Sequence, residues 1–427
     1  QPIMKNILTK IFSSKADLNS KEKSFLEITK KTKVSEIFKV ISDYNKLSEV
    51  RYIGGCVRKI LNNEKFDDID LATNLNPNQV KEILKSNNID FFETGIDHGT
   101  ITAHIDKKNF EITTLRKDIS TDGRHAVVEF TNEWTEDALR RDFTINSIYA
   151  DKEGNLFDPN EGVKDLENGK IKFIGDPEKR IKEDYLRILR YVRFFLNYSK
   201  HEHQLDVKKV IKKNISGVLK LSKERLIDEL KKLVISNGFF NICDDPFCKE
   251  IILLIFPQVK NIDIFKKIKK NYKSEVLKKD FIFILSLLIV DETDNSEFFL
   301  YKFNMSNEAK TRINFLKEIF NKSQDKNTFS KKHLQKIFYY QGKSYLLDVL
   351  DFQLFRSNKN NNKLIELKKY FENLEKPKFP VKATIIMEKY NLKEGKELGQ
   401  KLKFLENLWV ENSFNISEKE VENTFLN

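Results

Sequence analysis

Apolar residues are spaced in two different ways along this chain. Up to about residue 176 they come in short runs broken by glycine, and nine of the 14 glycines lie in that stretch. Tyr52-Ile53 runs into Gly54-Gly55, and Asp68 to Leu71 alternates polar with apolar. Gly99 to Ile105 and Asn109 to Leu115 predict a strand pair, and Val80 to Leu84 a short helix. This mixture predicts an α+β region with a small mixed sheet. After Asp176 the spacing turns helical. Asp176-Pro177 is a helix start, with Asp as the cap and Pro in the first turn. Ser222 opens another helix that runs through Leu230. Phe281 to Val290 is too short to cross a bilayer and predicts a buried helix. The expected architecture is therefore a small mixed-sheet head followed by an elongated all-α remainder. Texture changes place a head at 1–150, a neck at 151–220, and a helical body and tail at 221–427. Asn358 to Asn362 and Lys376 to Pro380 read as loops.

Composition adds a direction. The chain has 427 residues, 33% of them charged, with a net charge of +12. That excess suits a phosphate-bearing partner, and it equally suits a lysine-rich soluble surface. The arginines are more telling. Only 13 of the 76 basic residues are Arg, and ten of those lie at or before Arg193. An Arg in a chain that otherwise uses Lys marks a place that needs the planar, forked donor. Three cysteines offer neither a disulfide framework nor a zinc spacing, which points to a reducing, cytoplasmic setting. Gln1 to Lys15 has no signal-peptide core, and Met4 reads as a natural start. Neither a membrane nor an obligate protein partner is expected.

Five clusters carry candidate chemistry. In Gly54-Gly55-Cys56-Val57-Arg58, two glycines after a strand let backbone amides approach a phosphate, with Arg58 adding a charge; the alternative is a plain turn. In Asp68-Ile69-Asp70, carboxylates two apart on a strand share a face and suit Mg²⁺; the alternative is a solvated edge or an acidic turn with Asp67. Glu111 lies on a later strand, where it could complete the acidic group or pair with a basic side chain. In Arg140-Arg141-Asp142-Phe143-Thr144-Ile145-Asn146, Arg141 could hold a triphosphate and Asp142 a ribose hydroxyl, or the group could be a surface ion pair. In Glu183 to Arg193, Asp184, Arg187, Arg190 and Arg193 recur every third residue. On one helix they form a polar stripe able to read a base edge and meet phosphates, or an ordinary salt-bridged face.

Taken together, GGCVR (54–58), DID (68–70), Asp122-Gly123-Arg124-His125, RRDFTIN (140–146) and EDYLRILRYVRF (183–194) resemble the class II tRNA nucleotidyltransferases and bacterial poly(A) polymerases. These belong to the polymerase-beta-like nucleotidyltransferases. The resemblance runs from Tyr52 to Phe195. It implies template-independent addition of CCA to the 3′ end of tRNA, from CTP and ATP, with magnesium on Asp68 and Asp70. Gly55, Arg58 and Arg141 would hold the triphosphate, with Gly54 and Asp142, as read above, counted with them in the nucleotide site. Asp184 and Arg187 would read the base, and Arg190 and Arg193 would complete the pocket. The stretch from Asp118 to Arg124 resembles the flexible loop of enzymes that add the final A as well as both Cs. Poly(A) polymerase, CC-only or A-only addition, and a non-catalytic RNA-binding protein are the alternatives. One departure is Lys59, where the family usually has Asp. No His-Asp dipeptide occurs in the C-terminal half, so no appended phosphohydrolase domain is expected.

Overall fold

The computed structural model describes residues 21–66, 68–95, 98–121, 126–357 and 361–426. Asp67, the Asp122-Gly123-Arg124-His125 stretch and the first part of the Asn358 loop lie outside the described residues. The chain forms two compact units. One runs to Leu233 and also takes in Glu250–Ile255; the other comprises Val234–Lys249 and everything from Phe256 onward.

The first unit is built on a seven-stranded sheet. Helix α1 (Val34–Ser42) buries Val34, Ile37, Phe38 and Ile41, an apolar stripe at helical spacing. It leads to β1 (Val50–Ile53), α2 (Gly55–Leu61), β2 (Asp70–Thr73) and α3 (Pro77–Ser86). Then come β3 (Asp90–Gly95), β4 (Thr100–Ile105) and β5 (Lys108–Thr114). The strand order is β3-β4-β5-β2-β1, continued by β8 (Tyr149–Ala150) and β9 (Leu156–Phe157). Neighbours are antiparallel except β2 and β5, which run parallel. Tyr52 on β1 is almost wholly buried between Phe25 and Phe38, and its hydroxyl shares a 2.7 Å hydrogen bond with Thr29. Ile53, Ala72, Leu115, Trp134, Ala138 and Tyr149 form a core cluster on the sheet.

Three expectations are corrected here. The strand expected from Asp68 starts at Asp70, so the pleat does not fix where Asp68 points. Helix α3 is twice as long as Val80 to Leu84. Its start is set by a reciprocal capping box between Asn76 and Gln79, each side chain accepting from the other's backbone N–H at 2.9 Å. Asp118 to Thr121, expected as loop, belongs to β6 (Arg116–Thr121), which pairs with β7 (Ala126–Phe130) in a separate two-stranded sheet.

Helices follow: α4 (Trp134–Leu139), α5 (Gly162–Asn168), α6 (Pro177–Glu183), α7 (Leu186–Tyr198), α8 (Leu205–Asn214) and α9 (Lys223–Val234). Asp176 caps α6 by accepting from the Lys179 amide at 2.8 Å. A 3₁₀ turn, Thr144–Asn146, sits between α4 and β8.

The second unit has helices and connecting loops and no strand among its described residues. Phe281–Ile289 is buried as expected and is capped by Asp280. The last three helices, Ala383–Tyr390, Lys396–Glu411 and Glu418–Leu426, close over Ile386, Leu398, Leu405 and Phe425. No helix among the described residues is long and apolar enough to cross a membrane.

Candidate active site

The acidic residues gather where β1, β2 and β5 lie side by side. The chain leaves β1 through Gly54, whose φ of 73° lies in the region that favours glycine. A Cβ there would stand 3.7 Å from Oδ2 of Asp70, so this backbone runs close to that carboxylate. Asp70 and Glu111 are direct partners in the parallel β2–β5 register. Glu111 is exposed and forms no ion pair with a basic side chain among the described residues. Asp68 is exposed two residues ahead of the strand, and Asp70 is half-buried. Burial, then Glu111, then Asp68 push the Asp70 carboxyl up to about 6, against the pull of Arg141 and Lys232. Cys56, beside it, is buried, and burial pushes its thiol up to about 12, which rules it out as a nucleophile at neutral pH.

This crowding has a measurable consequence. A carboxyl raised above its ordinary 3.8 holds its proton more tightly in the folded state than in the unfolded state. Its stabilising contribution is complete below that ordinary value and is lost as pH rises through about 6. In EDTA, Asp70→Asn should therefore match the parent at low pH and gain on it toward neutrality, by on the order of 2 kcal/mol. Urea unfolding across this pH range checks it. A stability gap that stays flat would mean that Asp70 is not crowded.

Beside the acidic group lies a cavity of about 450 Å³. It brings together Gly54, Gly55, Arg58 and Asp70 from the β1–α2–β2 region, and Arg141 and Asp142 from beyond α4. Asp184, Arg187, Arg190 and Arg193 line it from the end of α6 and along α7. Asp68 and Glu111 stand outside its lining. Arg140, Asn146, Phe194 and Lys232 complete it.

Most of these groups are held by one another. The Arg58 guanidinium lies 4.7 Å over the Phe194 ring and donates to Asn146 Oδ1. Asn146 Nδ2 donates to Asp142 Oδ1 at 2.9 Å, and Arg190 Nε donates to Asp142 Oδ2 at 2.5 Å. Burial works against the Asp142 carboxylate. Arg190, Asn146 and the Phe143 amide outweigh it and hold the carboxyl well below its usual range. Asp137, only 1% exposed, receives Arg140, Arg141 and the Tyr149 hydroxyl at 2.8, 3.0 and 2.6 Å. The surface ion pair weighed for this segment is thus a buried one. Arg193 Nε donates to Glu229 Oε1 of α9 at 2.5 Å.

The expected single stripe from Asp184 to Arg193 is interrupted. Helix α6 ends at Glu183 and α7 begins at Leu186, leaving Asp184 extended at φ −152°, ψ 104°. Its Oδ1 accepts from the Leu186 amide at 3.1 Å, the local competition with helix that Asp favours. Its Oδ2 accepts from Arg225 Nη2 of α9 at 2.8 Å. Arg187 turns instead to Glu183 Oε2 and the Arg180 carbonyl, each at 2.7 Å, and to the Arg140 carbonyl at 3.3 Å. Lys59, the departure from the family pattern, falls in the last turn of α2, where a cation meets the negative end of the helix dipole favourably.

Sequence reasoning passed over Asp137, Arg180, Glu183, Arg225, Glu229 and Lys232. The scarcity of arginine was a signal for two of them: Arg180 is among the ten arginines up to Arg193, and Arg225 is one of only three beyond it.

Known proteins share this chain's sequence and fold. A family described as "Poly A polymerase head domain" matches residues 50–172. A mouse protein named "CCA tRNA nucleotidyltransferase 1, mitochondrial" is 35% identical over 87% of this chain and 85% of its own. Its human counterpart of the same name is 43% identical over 52% of each chain. The crystal structure of the Bacillus stearothermophilus CCA-adding enzyme in complex with CTP superposes with a TM-score of 0.65. It covers 88% of this chain and 92% of that one at 21% identity, a likeness of fold.

Proposed function

This chain belongs to the CCA tRNA nucleotidyltransferase family, and from that premise we propose how its own residues carry out CCA addition. The reaction adds C, C and A to the 3′ end of tRNA from CTP and ATP, releasing pyrophosphate. The observation that carries the proposal is the position of Asp70. It is paired in register with Glu111, crowded by Asp68, and set in the wall of an arginine-lined cavity.

The acidic group fits magnesium. Burial and two neighbouring carboxylates, Glu111 and Asp68, raise the affinity of Asp70 for a proton, and a bound cation relieves the same repulsion. Asp68 and Asp70 would hold it, with Glu111 beside them, and its chemistry would be to ease ionisation of the RNA 3′-hydroxyl and to offset charge on departing pyrophosphate. Gly54 and Gly55, having no side chains, leave room for the triphosphate next to Asp70. Arg58 and Arg141 hold its oxygens, which aligns the bond to be broken with the attacking hydroxyl. Asp142, fixed by Arg190 and Asn146, faces the sugar. Asp184 and Arg187 choose the base. Three N–H bonds of Arg187 are spent on protein acceptors, and the rest of its five donors remain for a base edge. Arg190 and Arg193 complete the pocket.

The functional regions are the head (1–150), the neck with the recognition helix (151–220), and the body and tail (221–427), which would grip tRNA. None of the three cysteines is in a disulfide, which fits a reducing compartment. The cytoplasm is the simplest such compartment, although the mammalian relatives are named as mitochondrial.

The test is extension of tRNA lacking its CCA end, with magnesium and CTP, ATP or both. Growth by CC with CTP alone, and by CCA followed by arrest with both, is the expected result. Long A tails without CTP would move the assignment to poly(A) polymerase. No extension by the folded protein would leave RNA binding without catalysis.

A further inference from the structure

Every arginine that lines the cavity is already engaged. Asp137 takes Arg140 and Arg141, Glu183 takes Arg187, Asp142 takes Arg190, Glu229 takes Arg193, and Asn146 takes Arg58. Lys232 differs. It lines the same cavity, its side chain is exposed, and it has no hydrogen bond or ion pair among the described residues. Its charge is nevertheless felt at Asp70.

The placement of Lys232 follows from α9. Arg225, Glu229 and Lys232 recur at i, i+4 and i+7, which puts them on one face of that helix. The first two are tied into the site, Arg225 to Asp184 at 2.8 Å and Glu229 to Arg193 at 2.5 Å. A helix fastened at two points holds the backbone of its third residue in place. That position shares the cavity with Gly54, Gly55, Arg58 and Asp70, where the nucleotide's phosphates are proposed to lie. An unpaired ammonium on a mobile stem suits the outer phosphates, which arrive with the nucleotide and depart together as pyrophosphate. A permanent carboxylate partner would have to be displaced each time.

We infer that Lys232 is a phosphate-binding residue of this site, contacting the outer two phosphates of the incoming nucleotide and holding them as pyrophosphate forms. The inference rests on the nucleotide-site reading above and adds a residue from α9, outside the segments that the sequence motifs mark.

The test is calorimetric titration of the full chain, without RNA, using CTP, CMP and inorganic pyrophosphate, each with magnesium. The parent is compared with Lys232→Met, which keeps the stem, and with Lys232→Arg, which keeps the charge. Losing one charge-assisted contact should weaken CTP and pyrophosphate about tenfold in Lys232→Met and leave CMP within about twofold. Lys232→Arg should recover most of the loss. Unchanged CTP and pyrophosphate affinities in Lys232→Met overturn the inference. An equal loss for all three ligands also overturns it, since Lys232 would then support the fold. If the parent itself binds neither CTP nor pyrophosphate, the nucleotide-site reading fails first and the inference with it.

Discussion

Asp70→Asn should lower single-turnover addition of A to tRNA ending in CC by about 10³-fold or more, while tRNA affinity stays within about twofold. The substitution keeps the shape of the side chain and removes its charge, so β2 and its register with β5 have no reason to change. What is lost is a carboxylate at the edge of the cavity, beside the Gly54 backbone and opposite Glu111. Catalysis of this kind depends on charges fixed in advance around developing charge, and one missing anion cannot be replaced by the exposed Asp68. The metal-free variant should at the same time be the more stable protein near pH 7, because it is relieved of a crowded charge. Lost activity with gained stability is hard to obtain from a merely structural residue. Turnover within tenfold of the parent would defeat the assignment.

Asp137→Ala should destabilise the protein by about 3–5 kcal/mol, read as a fall in urea midpoint at unchanged slope. Asp137 takes Arg140, Arg141, the Tyr149 hydroxyl and the Arg116 amide with its two oxygens. Arg140 and Arg141 keep only 15% and 18% of their side-chain surface exposed, so water replaces the lost partner poorly. Burial disfavours the Asp137 carboxylate, yet the two arginines and Tyr149 hold its pKa well below the usual range. A depressed carboxyl contributes stability above its ordinary pKa and loses it as pH falls through the folded value. The penalty should therefore be full at neutral pH and shrink in acid below about pH 4. Tyr149→Phe should cost about 1–2 kcal/mol, since it removes the hydrogen bonds the hydroxyl gives to Asp137 and takes from Arg141 but leaves the ions paired. A drop below 1 kcal/mol for Asp137→Ala would show that the arginines find other partners.

The parts of this protein legible in the sequence were those settled by neighbours in the chain. The Asp176 cap, the β4–β5 pair and the apolar helix at Phe281 each follow from residues within a turn or a hairpin of one another. Sequence spacing also singled out ten residues that line one cavity. It could not say who holds whom. Arg190 finds Asp142 across 48 residues, Asp184 finds Arg225 across 41, and Arg193 finds Glu229 across 36. No period of 2 or 3.6 carries such information. The same limit explains the stripe from Asp184 to Arg193. Regular spacing predicts one helix, but an Asp that can accept from the amide two residues on, and also reach Arg225, stops one helix and starts the next.

The hydrogen-bonded line from Arg58 through Asn146 and Asp142 to Arg190 has one further consequence. On the proposed reading it joins the residue that grips phosphate to the helix that inspects the base, with no slack between them. A mismatched nucleotide that shifts α7 then also shifts the grip on its own triphosphate. Discrimination would be expressed as a slow step and not as weak binding. Wrong nucleotides would occupy the site and leave again before they react, and selection between C and A would be a kinetic property of one stiff linkage.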